Sequence, residues 1–185
     1  MAAWRHRDAR AGFEVLFVRR DGGGYRLDGY STAVQDGDAW GIRYALSVDH
    51  RWVTRCAHVV GQSASGTYER RLECDGTGTW RLDGRAAPEL SGCLDVDLEA
   101  SACTNALPVR RLGLRVGERA DAPAAYVRAS TLCVERLEQT YARLADEGEQ
   151  ARYEYVAPAF EFRAVLTYDR FGLVVDYPGI AVRMA

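Results

Sequence analysis

The chain has 185 residues, with 24 basic against 26 acidic side chains, a formal charge of −2 and 48% hydrophobic residues. That length fits a single domain, residues 1–185, with a real core, and the near-neutral balance lacks the basic footprint of a protein that wraps a phosphate backbone. Nucleic acid is therefore not an expected partner.

In chain order, the opening "MAAWRHRDARAGFEVLF" is charged, and its apolar run is too short for a signal-peptide core or a membrane span. A cytoplasmic protein without an integral membrane segment is expected. In "FEVLF", Phe13, Val15 and Phe17 share a face; "RRDGGG" turns, and "YRLDGYSTAV" returns as the second strand of a hairpin. "AWGIRYALSV" alternates cleanly and puts Trp40, Ile42, Tyr44, Leu46 and Val48 on one face of a half-buried strand. "RWVTRCAHVV" carries apolar residues on both faces, so both of its sides are expected to be covered. "TYERRLECD" and "TWRLDG" continue the meander around a "GTG" turn.

Residues 125–144, "AYVRASTLCVERLEQTYARL", permit a helix with Cys133, Leu137, Tyr141 and Leu144 as its stripe, but their Thr, Val and Tyr content favours strands. "RYEYVAPAFEFRAVLTYD" alternates strongly, with Phe160, Phe162, Ala164, Leu166 and Tyr168 on one face. Eight to eleven strands joined by short Gly- and Asp-rich turns make an all-β, mainly antiparallel protein with at most one or two short helices. A sheet that long curls into a roll or half-barrel.

The stretch "SGCLDVDLEASACTNALPVRRLGL", residues 91–114, reads as a hairpin: Asp95, Asp97 and Glu99 on one polar face, across the turn "SACTNALP" from Arg111 and Arg115. Such a ladder either sets register on a solvated face or lines a cavity, where arginines bind anionic or sugar groups and carboxylates hold hydroxyls. The D-x-D-x-E spacing has hard-cation oxygens on one face, but opposing arginines would neutralise it, and no metal is expected. Three scattered histidines give no zinc spacing. Five cysteines without a C-x-x-C pair, one of them left over, point to reduced thiols. Cys93 or Cys56 with His58 is a paper nucleophile at best, and no G-x-S-x-G is present. Asp95 and Asp97 project from one strand face, a weak signal for acid and base work on a glycoside.

"GCLDVDL" at 92–98, "TNALPVRRL" at 104–112, Gln139-Thr140-Tyr141 and "YDRFGLVVDYPG" at 168–179 resemble the bacterial "putative glycolipid-binding" family, formerly a domain of unknown function. The resemblance implies a spiral β-roll related in shape to lipoprotein carriers, with a lipid or glycolipid site. Where the family tends to carry a proline and an aromatic before "TN", this chain has Ala102 and Cys103. The leading expectation is a non-enzymatic module that holds a glycolipid or other amphiphile in a curled sheet, with no cofactor and no catalytic residue. Arg110, Arg111, Asp95, Asp97 and Asn105 are its candidate head-group residues, with Trp52 and Tyr141 along the tail. The alternatives are a small-molecule hydrolase using Asp95 and Asp97, and a protein-interaction module that docks through a sheet edge or apolar patch.

Overall fold

The computed structural model describes residues 1–8 and 10–185. A first meander runs through β1 (Ala2–His6), β2 (Ala11–Asp21), β3 (Gly24–Gln35), β4 (Asp38–Val48), β5 (Thr54–Ser63), β6 (Gly66–Cys74), β7 (Trp80–Leu82) and β8 (Arg85–Ala86). An inserted segment follows, with β9 (Asp95–Leu98), α1 (Ala106–Leu112), β10 (Arg119–Asp121), β11 (Ala124–Val127) and β12 (Val134–Leu137). A second meander closes the chain: β13 (Thr140–Glu147), β14 (Gln150–Ala157), β15 (Phe162–Tyr168), β16 (Val174–Tyr177) and β17 (Ala181–Arg183).

The last strand, β17, pairs antiparallel with the first, β1, and so fuses the two meanders into a 14-stranded sheet that runs from β10 to β8. Both edge strands are very short, three and two residues, which leaves little unpaired backbone for edge-to-edge association. Bulges at Ser47/Val48 and Leu144/Glu147 interrupt the ladders and sharpen the curl. Strands β12, β11 and β9 form a separate sheet inside the curl, with β9 and β11 parallel. The fold is therefore a mostly antiparallel, open, curled sheet with one short helix among the described residues. None of its helices is long and apolar enough to cross a membrane.

Burial follows the alternation read from sequence in β4, where Trp40, Ile42, Tyr44, Leu46 and Val48 all point inward. In β2 the apolar face Phe13–Val15–Phe17 turns outward, and Glu14 and Leu16 are the fully buried residues. Strand β5 is covered on one side only, by way of Ala57 and Val59, while Cys56 and Val60 stay half-exposed. The ambiguous segment 125–144 forms strands, as its composition favours.

The expected 91–114 hairpin does not form. Its second arm is α1, seven residues with Pro108 in the first turn and Gly113 closing the helix in the left-handed region (φ 56), its N–H donating to the Val109 carbonyl at 3.2 Å. The first arm, β9, has no solvated face: all four of its residues are buried.

Polar contacts pin this insert inside the curl. Trp80 Nε1 donates to the Cys93 carbonyl at 2.8 Å, Thr54 Oγ1 accepts the Val96 N–H at 3.1 Å, and Ser31 Oγ donates to the Ala100 carbonyl at 2.6 Å. All five cysteines are free thiols.

Candidate functional site

Strand β9 separates two cores because its side chains alternate. Val96 and Leu98 pack into the first meander with Ala125 and Val127 of β11, while Tyr126 of β11 packs into the second meander among Tyr141, Tyr153, Tyr155, Tyr168 and Tyr177. Asp97 faces this tyrosine-rich side, at the floor of a cleft of about 220 Å³. The walls of the cleft are Tyr126, Tyr155, Tyr177, Phe160 and Phe162. Around the polar floor stand Arg10, Gln35 and Asn105.

Asp97 is the unusual group here. Thr104 Oγ1 donates to its Oδ1 at 2.9 Å, but no cation pairs with it among the described residues. Burial pushes its carboxyl up to about 6, the nearby Asp95 and Glu99 push the same way, and the Thr104 bond only partly offsets them. Arg10 is 8% exposed, donates through one terminal nitrogen to the Glu99 carbonyl at 2.6 Å and lies 5.5 Å from the Trp40 ring. Its Nε is buried without a partner among the described residues, and desolvation lowers its pKa against the pull of Glu99 and Glu14. Arg128 stands over both Tyr126 and Phe160 at 5.3 Å and is held by Glu135. The cleft therefore offers flat apolar faces, one weakly compensated carboxyl and one underused guanidinium, the combination that suits a ring with an apolar face and hydroxyl edges.

The residues singled out from sequence fall into three groups. Asp97 and Asn105 line the cleft; Asn105 Nδ2 donates to the hydroxyl of Tyr141 at 2.9 Å, and Tyr141 itself is fully buried behind it. Asp95 and Arg111 do pair, but through a helix packed on a strand rather than across a hairpin. Arg111 Nε and Nη2 reach the two carboxylate oxygens at 3.0 and 2.6 Å, with the Asp95 side chain 1% exposed.

Away from the cleft lining, Arg110 lies 4.0 Å over the Trp52 ring, which stacks on Tyr25 at 4.5 Å. This three-layer stack holds α1 against the turn between β4 and β5. Trp52 adopts φ 66 there, an uncommon conformation for a bulky residue.

Two minor readings lose their geometry. The D-x-D-x-E acids are separately engaged, Asp95 by Arg111, Asp97 by Thr104 and Glu99 by the Ala129 N–H at 2.7 Å, so they do not converge on a cation. His58 Nε2 is taken by Glu69 at 2.6 Å, while burial raises the Cys56 thiol and pushes Cys93 up to about 11, so neither is poised as a thiolate. Sequence reasoning missed Arg10, Tyr126, Tyr155 and Tyr177, which converge only once the insert is threaded between the meanders. The alternation of "RYEYV" was the available signal for Tyr153 and Tyr155 as one inward face.

The model of a family described as "Putative glycolipid-binding" matches residues 1–183. The crystal structure of a DUF1089 family protein from Pseudomonas aeruginosa superposes with a TM-score of 0.77 at 34% identity, covering 92% of each chain. A beta-barrel-like protein of domain of unknown function DUF1849 from Brucella abortus gives a TM-score of 0.48 at 10% identity, covering 98% of this chain and 92% of its own. No curated protein matches the chain.

Proposed function

The chain belongs to the "Putative glycolipid-binding" family, and from that premise we propose that it holds the polar head of a glycolipid or related amphiphile in the cleft above Asp97, without transforming it. The observation that supports this reading most is the placement of Asp97. A buried carboxyl with one neutral hydrogen bond and no cation lowers the stability of the fold, and a cleft wall is where such a group serves a ligand instead. Sugar hydroxyls would donate to Asp97 and accept from Arg10, with the apolar ring face against Tyr126 or Tyr155. Asn105 joins them from the sequence-based set. Arg110, Arg111, Asp95, Trp52 and Tyr141 then act behind the site, holding α1 and the 101–105 loop in place.

Asp97→Asn tests this through stability and binding together. A carboxyl raised from about 3.9 in the unfolded chain to about 6 in the fold is favourable when protonated, and the penalty sets in as pH rises between those values. The variant should therefore match the parent near pH 4 and exceed it by about 3 kcal/mol near pH 8 in urea unfolding. Its affinity for a soluble alkyl glycoside should fall roughly tenfold, as expected when a charged acceptor is lost. A variant that gains no stability with pH, or binds as well as the parent, removes the assignment.

A second reading, a protein-interaction face that docks a second copy of this chain, is favoured by one observation. Phe13, Phe17 and Tyr30 stand 56%, 48% and 53% exposed on neighbouring positions of the outward face of β2 and β3. Concentration-dependent mass in sedimentation, abolished by Phe17→Asp, would support that face as an interface; a monomer at all concentrations would count against self-association.

A further inference from the structure

The cleft can take a head group but not a tail. Its volume of about 220 Å³ lies below the roughly 300–1,000 Å³ of pockets that enclose a drug-sized ligand. The rest of the interior is filled: Val96, Leu98, Cys103, Leu107, Ala125 and Val127 are each 0–2% exposed and occupy the space that a hollow roll would offer an acyl chain. Two larger hollows, of about 580 and 540 Å³, lie around Tyr30, Arg43 and Val60 on the outward face of the sheet, which separates them from the cleft.

The mouth of the cleft carries its own apolar feature. Between β14 and β15 the chain makes a single 3-10 turn, Pro158–Phe160, all three residues of which are exposed. Phe160 lines the cleft and is also 39% exposed. Arg128 stacks over it at 5.3 Å and is paired with Glu135, exposed Glu161 follows Phe160 in the chain, and Arg163 on β15, its side chain 66% exposed, lies 3.7 Å from Glu154. An exposed Pro-Ala-Phe tip at the cleft mouth, with charges of both signs around it, has the composition of a segment that enters the interface of a neutral bilayer while the charged side chains stay with the head groups.

We infer that the protein reads the head group of a lipid whose tail remains in its bilayer, and that the 158–160 turn is the element that enters the interface. This rests on the cleft being the head-group site. The protein then works at a membrane surface, and it neither encloses nor extracts the lipid.

Ala159 separates the two claims, because it is exposed on the turn and does not line the cleft. The full chain is mixed with phosphatidylcholine vesicles containing about one-tenth monoglucosyl diacylglycerol and sedimented, and binding of octyl glucoside below its micelle concentration is measured by calorimetry. The parent should sediment with these vesicles. Ala159→Glu should lower the bound fraction about fivefold and Ala159→Trp should raise it, both with unchanged affinity for the soluble glucoside.

Vesicle binding indifferent to both variants, with glucoside binding intact, overturns the inference while leaving the cleft assignment standing. So does glucosyl lipid that stays with the protein, one per chain, after the vesicles are removed. Failure of the parent to bind the soluble glucoside brings down the cleft assignment and this inference with it.

Discussion

Replacing Glu14 by alanine is expected to cost about 3–5 kcal/mol in urea unfolding, because three hydrogen-bond donors then lose their acceptor in the core. Glu14 is fully buried; the Tyr44 hydroxyl donates to it at 2.6 Å, the Ala102 N–H at 2.7 Å, and the Ser101 hydroxyl completes the set. Ser101 Oγ in turn accepts the Cys103 N–H at 3.0 Å, so Glu14 on β2 holds the whole 101–103 loop from below.

Burial raises the Glu14 pKa and the three donors pull it down. Glu14→Gln should cost less than the alanine variant, since its amide oxygen can still accept from Tyr44 and Ser101 and only the Ala102 N–H, now facing the NH₂ donor, loses its acceptor. Hydrogen exchange at Ala102 and Cys103 should speed up in both variants before the strands of the first meander are affected. A loss under about 1 kcal/mol for the alanine variant would show that the loop is held by packing alone.

The same cluster explains a glycine. Tyr44 reaches Glu14 by crossing β3 at Gly29, where a Cβ would lie 2.0 Å from the tyrosine ring. Gly29→Ala must push Tyr44 aside and should reproduce part of the Glu14→Ala phenotype with the carboxylate still present.

Much of the sheet was legible because strand burial has a period of two, and that period shows in β4 and β15 without knowledge of their neighbours. What alternation leaves open is which face is inward. In "FEVLF" the outward face is the more apolar one, and only the pairing of β2 with β3 and the loop above it reveals why a glutamate is buried. The helix α1 escaped for another reason: seven residues are barely two turns, too few for a 3.6-residue period to emerge. Its signs were local ones, Pro108 near the start, Gly113 past the end and two arginines in the last turn, where they favour the negative end of the helix.

The cleft was legible only in part. Asp97 and Asn105 come from the stretch that sequence picked out, whereas Arg10 and Tyr155, fifty or more positions away in the chain, join them only in the folded cleft.

The 91–114 stretch makes the strongest quantitative claim, through Asp95 and Arg111. Arg111→Ala should destabilise the protein by about 3–5 kcal/mol near neutral pH, because it leaves a carboxylate buried without its cation. With the Asp95 side chain 1% exposed and Arg111 12% exposed, little water is at hand to take the guanidinium's place. In the parent, burial raises the Asp95 pKa and the bidentate Arg111 bonds pull it back. Without Arg111 it rises further, and a raised carboxylate is penalised only once pH exceeds its unfolded value of about 3.9. The cost of Arg111→Ala is therefore smallest near pH 4 and grows toward neutrality.

Asp95→Asn combined with Arg111→Met removes both charges and keeps most of the volume, and it should recover most of the stability at about pH 7. If Arg111→Ala costs the same at both pH values and the double variant recovers nothing, the arginine acts through the packing of its methylenes between α1 and β9. The acids and arginines of this stretch would then be bystanders to its fold.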